Sequence, residues 1–271
     1  MKRGLVIILV VITLGLFSAV FASSNIDFVS PTPENGSIQN ASSIYVNISS
    51  SSTSGDHYTF VNFNNSIVGW WMLNDTSDDE FGMNNGVWFG GEAYSSGMFG
   101  DAGAFNGSNY INITDDPSLD FGLNDFSYSF WMKANTVASG VPISHGFNPE
   151  FNLDGGILYF YFTTSGQCGL LASSDVLSAD SWYHVVVTRR NNETDGNGYL
   201  YINGNLESQS VANCNVSDTD PFFISRNHDG FYFNGSIDDV LIFNRSLSAS
   251  EISSLYNATA PSPSFFNFCA N

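Results

Sequence analysis

The chain of 271 residues carries 26 acidic and 7 basic side chains, which gives a formal net charge of −19. A surface this acidic repels the phosphates of nucleic acids and of anionic lipids, so it excludes nucleic acid as a partner. Length and composition indicate one main folded domain of about 200 residues, and no internal repeat is evident.

A secretory signal peptide is predicted over residues 1–22. Lys2 and Arg3 precede the apolar run Leu5–Phe17, and small residues follow at the positions that a signal peptidase reads. This order is typical of a cleaved leader and predicts a secreted or cell-surface protein. Because Gly4–Ala22 is almost long enough to span a bilayer, an uncleaved leader that acts as a membrane anchor is an alternative. The start also resembles pilin-type leaders, but it lacks the glutamate that they usually carry in the apolar run.

The rest of the chain divides by composition into a lead-in, a domain and a tail. Residues 23–57 are rich in Ser, Asn, Pro and Thr and predict a disordered or extended lead-in or stalk, with one strand candidate at Ile44–Ile48. Short alternating segments separated by Gly, Asn and Asp clusters predict an all-β domain over 58–259. No helical period is evident before Ser248. Residues 260–271 predict an extended tail.

The run Phe126–Lys133 is a clear strand candidate. Phe126, Tyr128, Phe130 and Met132 occupy alternate positions, so they share one face. We expect that face to line the core.

The run Ile237–Phe243 is apolar on both faces. Val240 and Ile242 are predicted on one face, with Ile237, Leu241 and Phe243 on the other. A strand of this kind is either covered on both sides or carries a bulge.

Sequence blocks between Val68 and Asn257 occur in an order that resembles one known family. They read, in chain order, VGWW, NNG, FNGSNYINI, FSYSFWMKA, SWYHVVVTRR, GYLYING and FNGSIDDVLIFNRSL. Together they resemble laminin-G-like jelly-roll domains of the concanavalin-A-like lectin and glucanase superfamily. The resemblance implies a two-sheet antiparallel jelly-roll sandwich. It leaves function open, because this fold serves binding modules, adhesins, toxins and enzymes.

Asp238 is the first candidate for a metal ligand. It is predicted on the core face at the entry to an apolar strand, where an unpaired carboxylate is costly. The loop Asp75–Gly86 offers several oxygen ligands, and members of the resembling family often bind one Ca²⁺ at the sandwich edge. We therefore predict Ca²⁺ bound by Asp238, Asp79 and Asn85. In the alternative, Asp238 accepts hydrogen bonds from turn amides and the loop forms an ordinary hairpin turn.

The histidines give no metal signal. His184 lies in a Trp-Tyr-His block that matches the family, and it is predicted to be buried and hydrogen-bonded within the fold. His57, His145 and His228 are scattered in predicted loops and form no constellation.

The three cysteines predict one disulfide. Cys168 and Cys214 stand at predicted strand ends within the region of resemblance, whereas Cys269 lies in the tail. In an exported protein we expect Cys168 to pair with Cys214, and an unpaired Cys269 could link to a neighbouring chain. Glycosylation sequons recur from Asn35 to Asn257, which predicts a glycoprotein.

A catalytic role is not expected. Retaining glycosidases need two carboxylates about 5 Å apart, and the Glu-X-Asp-X-Glu runs that supply them in related sandwiches do not occur. A glycoside hydrolase is therefore the less favoured interpretation.

The predicted function is a non-catalytic recognition module for a glycan or an extracellular protein. Two aromatic-bearing loops suit sugar rings and hydroxyls, and they supply the candidate residues His145, Phe147, Asn148, Arg226 and Tyr232. In one alternative these aromatic residues, with Phe231, plug the ends of the sandwich. In another, the protein is a structural, coat or adhesive subunit without a soluble ligand.

Overall fold

The structure is a computed structural model, and it describes residues 66–257 except 147–148, 163–167, 192–195 and 218. It also describes the backbone of three strands outside that range. The predicted signal peptide, residues 1–22, lies outside the described residues. In the part that is described, no helix has the length and apolar character needed to cross a bilayer.

The chain divides into two compact units, the first of which contains Met1–Phe60 and Phe265–Asn271. The described part of this unit is an antiparallel sheet in the order β1-β2-β19. Its strands are β1 (Ser24–Val29), β2 (Ile44–Ser52) and β19 (Phe268–Ala270). The strand predicted at Ile44–Ile48 is therefore present and runs four residues further, and strands also occur in the predicted lead-in and tail.

The second unit, Val61–Ser264, is a sandwich of two antiparallel sheets, which confirms the predicted all-β jelly-roll class. The back sheet consists of β3 (Ile67–Trp71), β5 (Tyr94–Ser96), β6 (Asp101–Asn106), β8 (Phe126–Ala134), β14 (Trp182–Asn191), β15 (Gly196–Ile202), β16 (Asn205–Val211) and β18 (Asn234–Phe243). Its order is β16-β15-β14-β8-β18-β6-β5, and β3 also pairs with β18.

The front sheet faces the back sheet across the core. It consists of β4 (Gly86–Phe89), β7 (Tyr110–Ile113), β9 (Ser139–Gly140), β10 (Ile143–His145), β11 (Glu150–Asp154), β12 (Ile157–Tyr161), β13 (Leu170–Ala172) and β17 (Phe222–Ile224). Its order is β13-β12-β11-β10-β17-β7-β4, and β9 also pairs with β11.

Helix is sparse in the described residues, as predicted. A 3₁₀ helix spans Pro117–Leu119, and one α-helix, α1, spans Ala249–Asn257. A capping box starts α1: the Ser248 N–H donates to Glu251 Oε2 at 2.8 Å, and the Glu251 N–H donates to Ser248 Oγ at 3.3 Å.

The core face of β8 is the one that alternation predicts. Phe126, Tyr128, Phe130 and Met132 all belong to the buried cluster between the sheets. Each is at most 1% exposed, so this strand contributes a continuous aromatic and apolar row to the core.

The outer face of the back sheet is covered by α1. Tyr256 of the helix stacks on Trp131 at 5.9 Å and on His184 at 6.2 Å, measured between ring centroids. His184 Nε2 lies 2.9 Å from Ser129 Oγ, and burial lowers the pKa of the imidazole to about 3. A neutral, buried, hydrogen-bonded His184 matches the structural role predicted for it.

A bulge in β18 corrects the predicted faces of that strand. Its pairing with β8 shifts register between Asp238 and Leu241, and Asp239 has a left-handed backbone with φ 47°. Ile237 therefore belongs to the core together with Val240, although simple alternation separates them. Asp238 follows Ile237 and points away from the core face that was predicted for it.

The predicted disulfide between Cys168 and Cys214 is confirmed, with an S–S distance of 2.03 Å. A buried arginine holds the loop around it. Arg189 donates from Nη1 to the Cys214 carbonyl at 2.7 Å and from Nη2 to the Gly122 carbonyl at 2.8 Å. The guanidinium also lies 4.8 Å from the ring centroid of Phe126, so it joins the disulfide loop to the start of β8.

Replacing Cys168 and Cys214 by serine should lower the free energy of unfolding by about 4 kcal/mol, because the unfolded chain loses a cross-link that closes a loop of this size. Denaturant unfolding under non-reducing conditions measures the change. Cys269→Ser is the matched control and should leave the free energy of unfolding as in the wild type. Peptide mapping that joins Cys214 to Cys269 would contradict this pairing.

Candidate functional site

The outer face of the front sheet carries aromatic and polar side chains. On β7 and β17, Ile111 and Phe222 point into the core, so their neighbours Tyr110 and Phe223 point outward. Sequence reasoning missed both outward residues. The alternation of Tyr110 with the buried isoleucines was the signal that could have placed it on this face.

Four rings and one guanidinium form a cluster on this face, which we call the aromatic platform. Arg226 lies over the ring centroids of Tyr110 at 4.7 Å, Phe223 at 5.2 Å and Tyr232 at 5.9 Å. Phe89 stacks on Tyr110 at 5.1 Å and is 43% exposed. Each cation–π contact contributes on the order of 0.5–2 kcal/mol, so Arg226 helps to hold the rings of the platform together.

The segment 226–232, which we call the platform loop, is fixed by Asn227. Asn227 Nδ2 donates to Glu150 Oε2 at 3.1 Å, and its Oδ1 accepts the Phe231 N–H at 2.9 Å. Burial raises the pKa of Glu150, while the hydrogen bond from Asn227 lowers it. Arg226 and Tyr232 form an isolated β-bridge that closes the loop. Phe231 is 64% exposed at its tip, so this residue does not plug the sandwich.

Of the five predicted ligand-binding residues, two lie in the aromatic platform, one is buried in the core and two lie outside the described residues. Arg226 and Tyr232 come together in the aromatic platform, and ligand binding by them stays a prediction. Phe147 and Asn148 lie outside the described residues. His145 is the correction: it ends β10 with its side chain toward the core and is 0% exposed, so it presents no surface to a ligand on the platform.

His145 instead belongs to a group with two carboxylates, contrary to the expectation that the loop histidines form no constellation. His145 Nε2 lies 3.5 Å from Asp115 Oδ1. Asp120 completes the group, and one donor atom from each of the three lies within 4.8 Å of the others. Such a set of donors can hold a metal ion.

Asp79 and Asn85, two of the predicted calcium ligands, stabilise their own loop. Asp79 Oδ1 accepts the Trp70 N–H at 2.9 Å, and its Oδ2 accepts the N–H groups of Met83 and Asn84 at 3.2 Å each. Asn85 Oδ1 accepts the Asp79 N–H at 3.0 Å. These oxygens therefore already have backbone partners.

Asp238, the third predicted calcium ligand, also accepts backbone hydrogen bonds. Its Oδ2 accepts the N–H groups of Met98 at 2.7 Å and Phe99 at 2.9 Å, whereas its Oδ1 is buried without a hydrogen-bond partner. Burial, followed by the neighbouring carboxylate of Asp239, raises the pKa of Asp238 to about 8. These contacts favour the turn-amide alternative, and calcium binding by the three residues stays a prediction.

A family comparison covers more than half of the chain. A laminin G family model, described as the concanavalin A-like lectin/glucanases superfamily, matches residues 105–253. The match confirms the resemblance found in the sequence blocks. No curated protein sequence matches the chain.

Solved structures share the fold at low sequence identity. The binding domain of Paraclostridial Mosquitocidal Protein 1 has a TM-score of 0.57 at 19% identity, over 72% of this chain and 52% of that one. Domain 4 of AbnA, an extracellular arabinanase from Geobacillus stearothermophilus, was solved with arabinotriose; its TM-score is 0.58 at 19% identity, over 70% of this chain and 98% of that one.

A third structure comes from botulinum neurotoxin type C, a toxin whose cell entry depends on interaction with two ganglioside molecules. Its TM-score is 0.57 at 18% identity, over 74% of this chain and 53% of that one. The chain thus spans about half the length of the mosquitocidal and neurotoxin chains. At these identities the likeness establishes the fold.

The raised pKa of Asp238 predicts that stability falls as pH rises. Between about pH 4 and pH 8 the folded protein keeps a proton that the unfolded chain has released, so the free energy of unfolding decreases by up to about 1.4 kcal/mol per pH unit. Asp238→Asn replaces the carboxyl with a neutral amide, so it should reduce the dependence of stability on pH. The measurement is the melting temperature as a function of pH between about pH 4 and pH 8. Asp78→Asn, which removes an exposed carboxylate, is the control.

An unchanged slope in Asp238→Asn would contradict this account. A rise in melting temperature on adding Ca²⁺ at pH 8, abolished by Asp238→Asn, would instead support the predicted calcium site.

Proposed function

Because the chain belongs to the concanavalin A-like lectin/glucanases superfamily, we propose that it is a non-catalytic recognition module that binds carbohydrate on the aromatic platform. The observation that carries this proposal is the contact of Arg226 with Tyr110, Phe223 and Tyr232, next to the exposed ring of Phe89 that stacks on Tyr110. With the predicted leader, the module acts outside the cell.

The chemistry of the face suits a sugar. The C–H faces of a sugar ring pack on aromatic rings, and its hydroxyls need donors and acceptors beside them. One row across the paired strands of the front sheet carries apolar, aromatic and polar residues, of which Phe223, Ser144 and Glu150 are buried. In order it contains Val87, Asn112, Phe223, Ser144, Glu150, Tyr161 and Leu170.

The charge of the chain narrows the ligand class. With a net charge of −19, the protein as a whole repels polyanionic chains such as sulfated glycans. Arg226 is the cation of the platform, and its guanidinium is engaged with three rings. A neutral oligosaccharide is therefore the proposed ligand, in keeping with the arabinotriose bound by the arabinanase domain of the same fold.

The non-catalytic half of the proposal rests on Glu150. This carboxylate on the platform side accepts hydrogen bonds from Asn227 at 3.1 Å and from Asn152 at 3.3 Å. Glycoside hydrolysis requires two carboxylates in defined positions about the scissile bond, one of which protonates the leaving oxygen. A carboxylate held by two amides is suited to fixing the platform loop.

A glycan array probed with the purified full chain, with and without EDTA, tests the proposal. Phe89→Ala should weaken binding of the captured glycan at least tenfold, equivalent to about 1.4 kcal/mol, because it removes an exposed ring of the platform. Phe81→Ala is the matched control, since Phe81 is also exposed, at 47%, but lies in the loop after β3. It should bind as the wild type does.

Three outcomes would contradict the proposal. The first is an array without a captured glycan together with self-association in sedimentation, which is the behaviour of a coat or structural subunit. The second is an equal loss of binding in the two phenylalanine variants. The third is hydrolysis of a polysaccharide by the pure protein, which would contradict the non-catalytic half.

A further inference from the structure

We propose that Asp115, Asp120 and His145 form a binding site for a divalent first-row transition-metal ion, with Zn²⁺ as the expected ion. We call these three residues the rim site. The site is distinct from the three residues predicted to bind calcium, and it does not depend on the carbohydrate proposal.

The ends of two front-sheet strands and the 3₁₀ helix bring the rim site together. His145 is the last residue of β10, Asp115 follows the end of β7 by two residues, and Asp120 directly follows the 3₁₀ helix. Strand β17 lies between β7 and β10, and its Phe222 is in register with both His145 and Ile113. Because Phe222 and Ile113 point into the core, the rim site lies on the core side of the sheet, at the ends of β7 and β10.

The unsatisfied polar atoms of the rim site indicate a missing partner. His145 is 0% exposed, and neither of its ring nitrogens has a hydrogen-bond partner. Asp115 Oδ1, which faces it, is also buried without one. Leaving buried polar atoms unpaired costs on the order of 1–3 kcal/mol each, so a ligand that satisfies both residues stabilises the fold.

The distance between these two atoms suits ligands that share one ion. His145 Nε2 and Asp115 Oδ1 are 3.5 Å apart, which is longer than the usual N–H···O distance. Two ligands at about 2.0–2.2 Å from a tetrahedral Zn²⁺ lie roughly 3.3–3.6 Å from each other. The pair therefore has the separation of adjacent ligands on a zinc ion without any movement of the backbone.

A second histidine and aspartate pair shows the contrast. His228 Nδ1 and Asp220 Oδ2 are 3.0 Å apart, and the histidine side chain is 44% exposed. This is the geometry of an ordinary hydrogen-bonded surface pair. Within the described part of the chain, it does not belong to a group of three such donors.

The donor set selects the class of ion. Calcium and magnesium prefer sites made of oxygen ligands, whereas an imidazole nitrogen with carboxylates suits zinc and its neighbours. Two carboxyl side chains also supply the anionic oxygen ligands that a divalent ion binds. A bound ion would join the end of β7, the 3₁₀ helix and the end of β10, so its binding to the native state should raise the melting temperature.

The test uses the purified full chain, freed of metal by a chelator and then dialysed. Calorimetric titration with ZnCl₂ should show one equivalent bound and a raised melting temperature, and CaCl₂ at the same concentrations should not bind to the rim site. His145→Ala and Asp115→Asn should each weaken Zn²⁺ binding at least tenfold. His228→Ala is the matched control and should keep the wild-type affinity.

Cobalt provides a readout that a structural role alone would not change. Co²⁺ bound at the rim site should give visible absorption bands that Asp115→Asn and His145→Ala lose and His228→Ala keeps. If His145→Ala fails to fold, Asp120→Asn takes its place, because it removes a carboxylate at a partly exposed position. The proposal is overturned if the wild type binds no Zn²⁺, if the variants bind like the control, or if Ca²⁺ displaces Zn²⁺ at equal concentration.

Discussion

The packing of α1 against the back sheet determines which face of the sandwich is open to ligands. Tyr256 covers Trp131 and His184, and Ile252 of the same helix is fully buried. The outer face of the back sheet is thus buried beneath the helix, and its polar side chains Ser129 and His184 hydrogen-bond to each other there. Within the described residues, the front sheet has no helix on its outer face, and its aromatic rings are held by Arg226 and by one another.

Much of the fold follows from alternation along single strands, and the exceptions have local causes. The β8 pattern placed its core residues correctly, because a regular strand keeps a period of two. The same logic failed in β18, where the left-handed backbone of Asp239 produces a bulge that moves Asp238 off the core face. Apolar residues on both faces of this run are consistent with a bulge, but they do not give its position, which depends on the backbone of Asp239.

The candidate sites could be predicted only in part. The sequence pattern of one strand shows which face of the sheet a side chain takes, but it does not show which residues of the neighbouring strands lie beside it. Arg226 and Tyr232 were found from their composition and closeness in sequence. Tyr110 joins them only through the pairing of β7 with β17, which links distant parts of the chain. The same reason explains His145, whose partner Asp115 comes from the far side of β17. Adjacent residues of β17 thus support the two sites, with Phe222 beside His145 and Phe223 beneath Arg226.

Carbohydrate binding on the outer face of the front sheet can be mapped by amide chemical shifts during titration with a neutral oligosaccharide. We expect the shifts to concentrate in β7, β17 and the platform loop, with little change in α1 and β14. Shifts confined to α1 and the back sheet would contradict it, because that face is already filled by the packing of the helix.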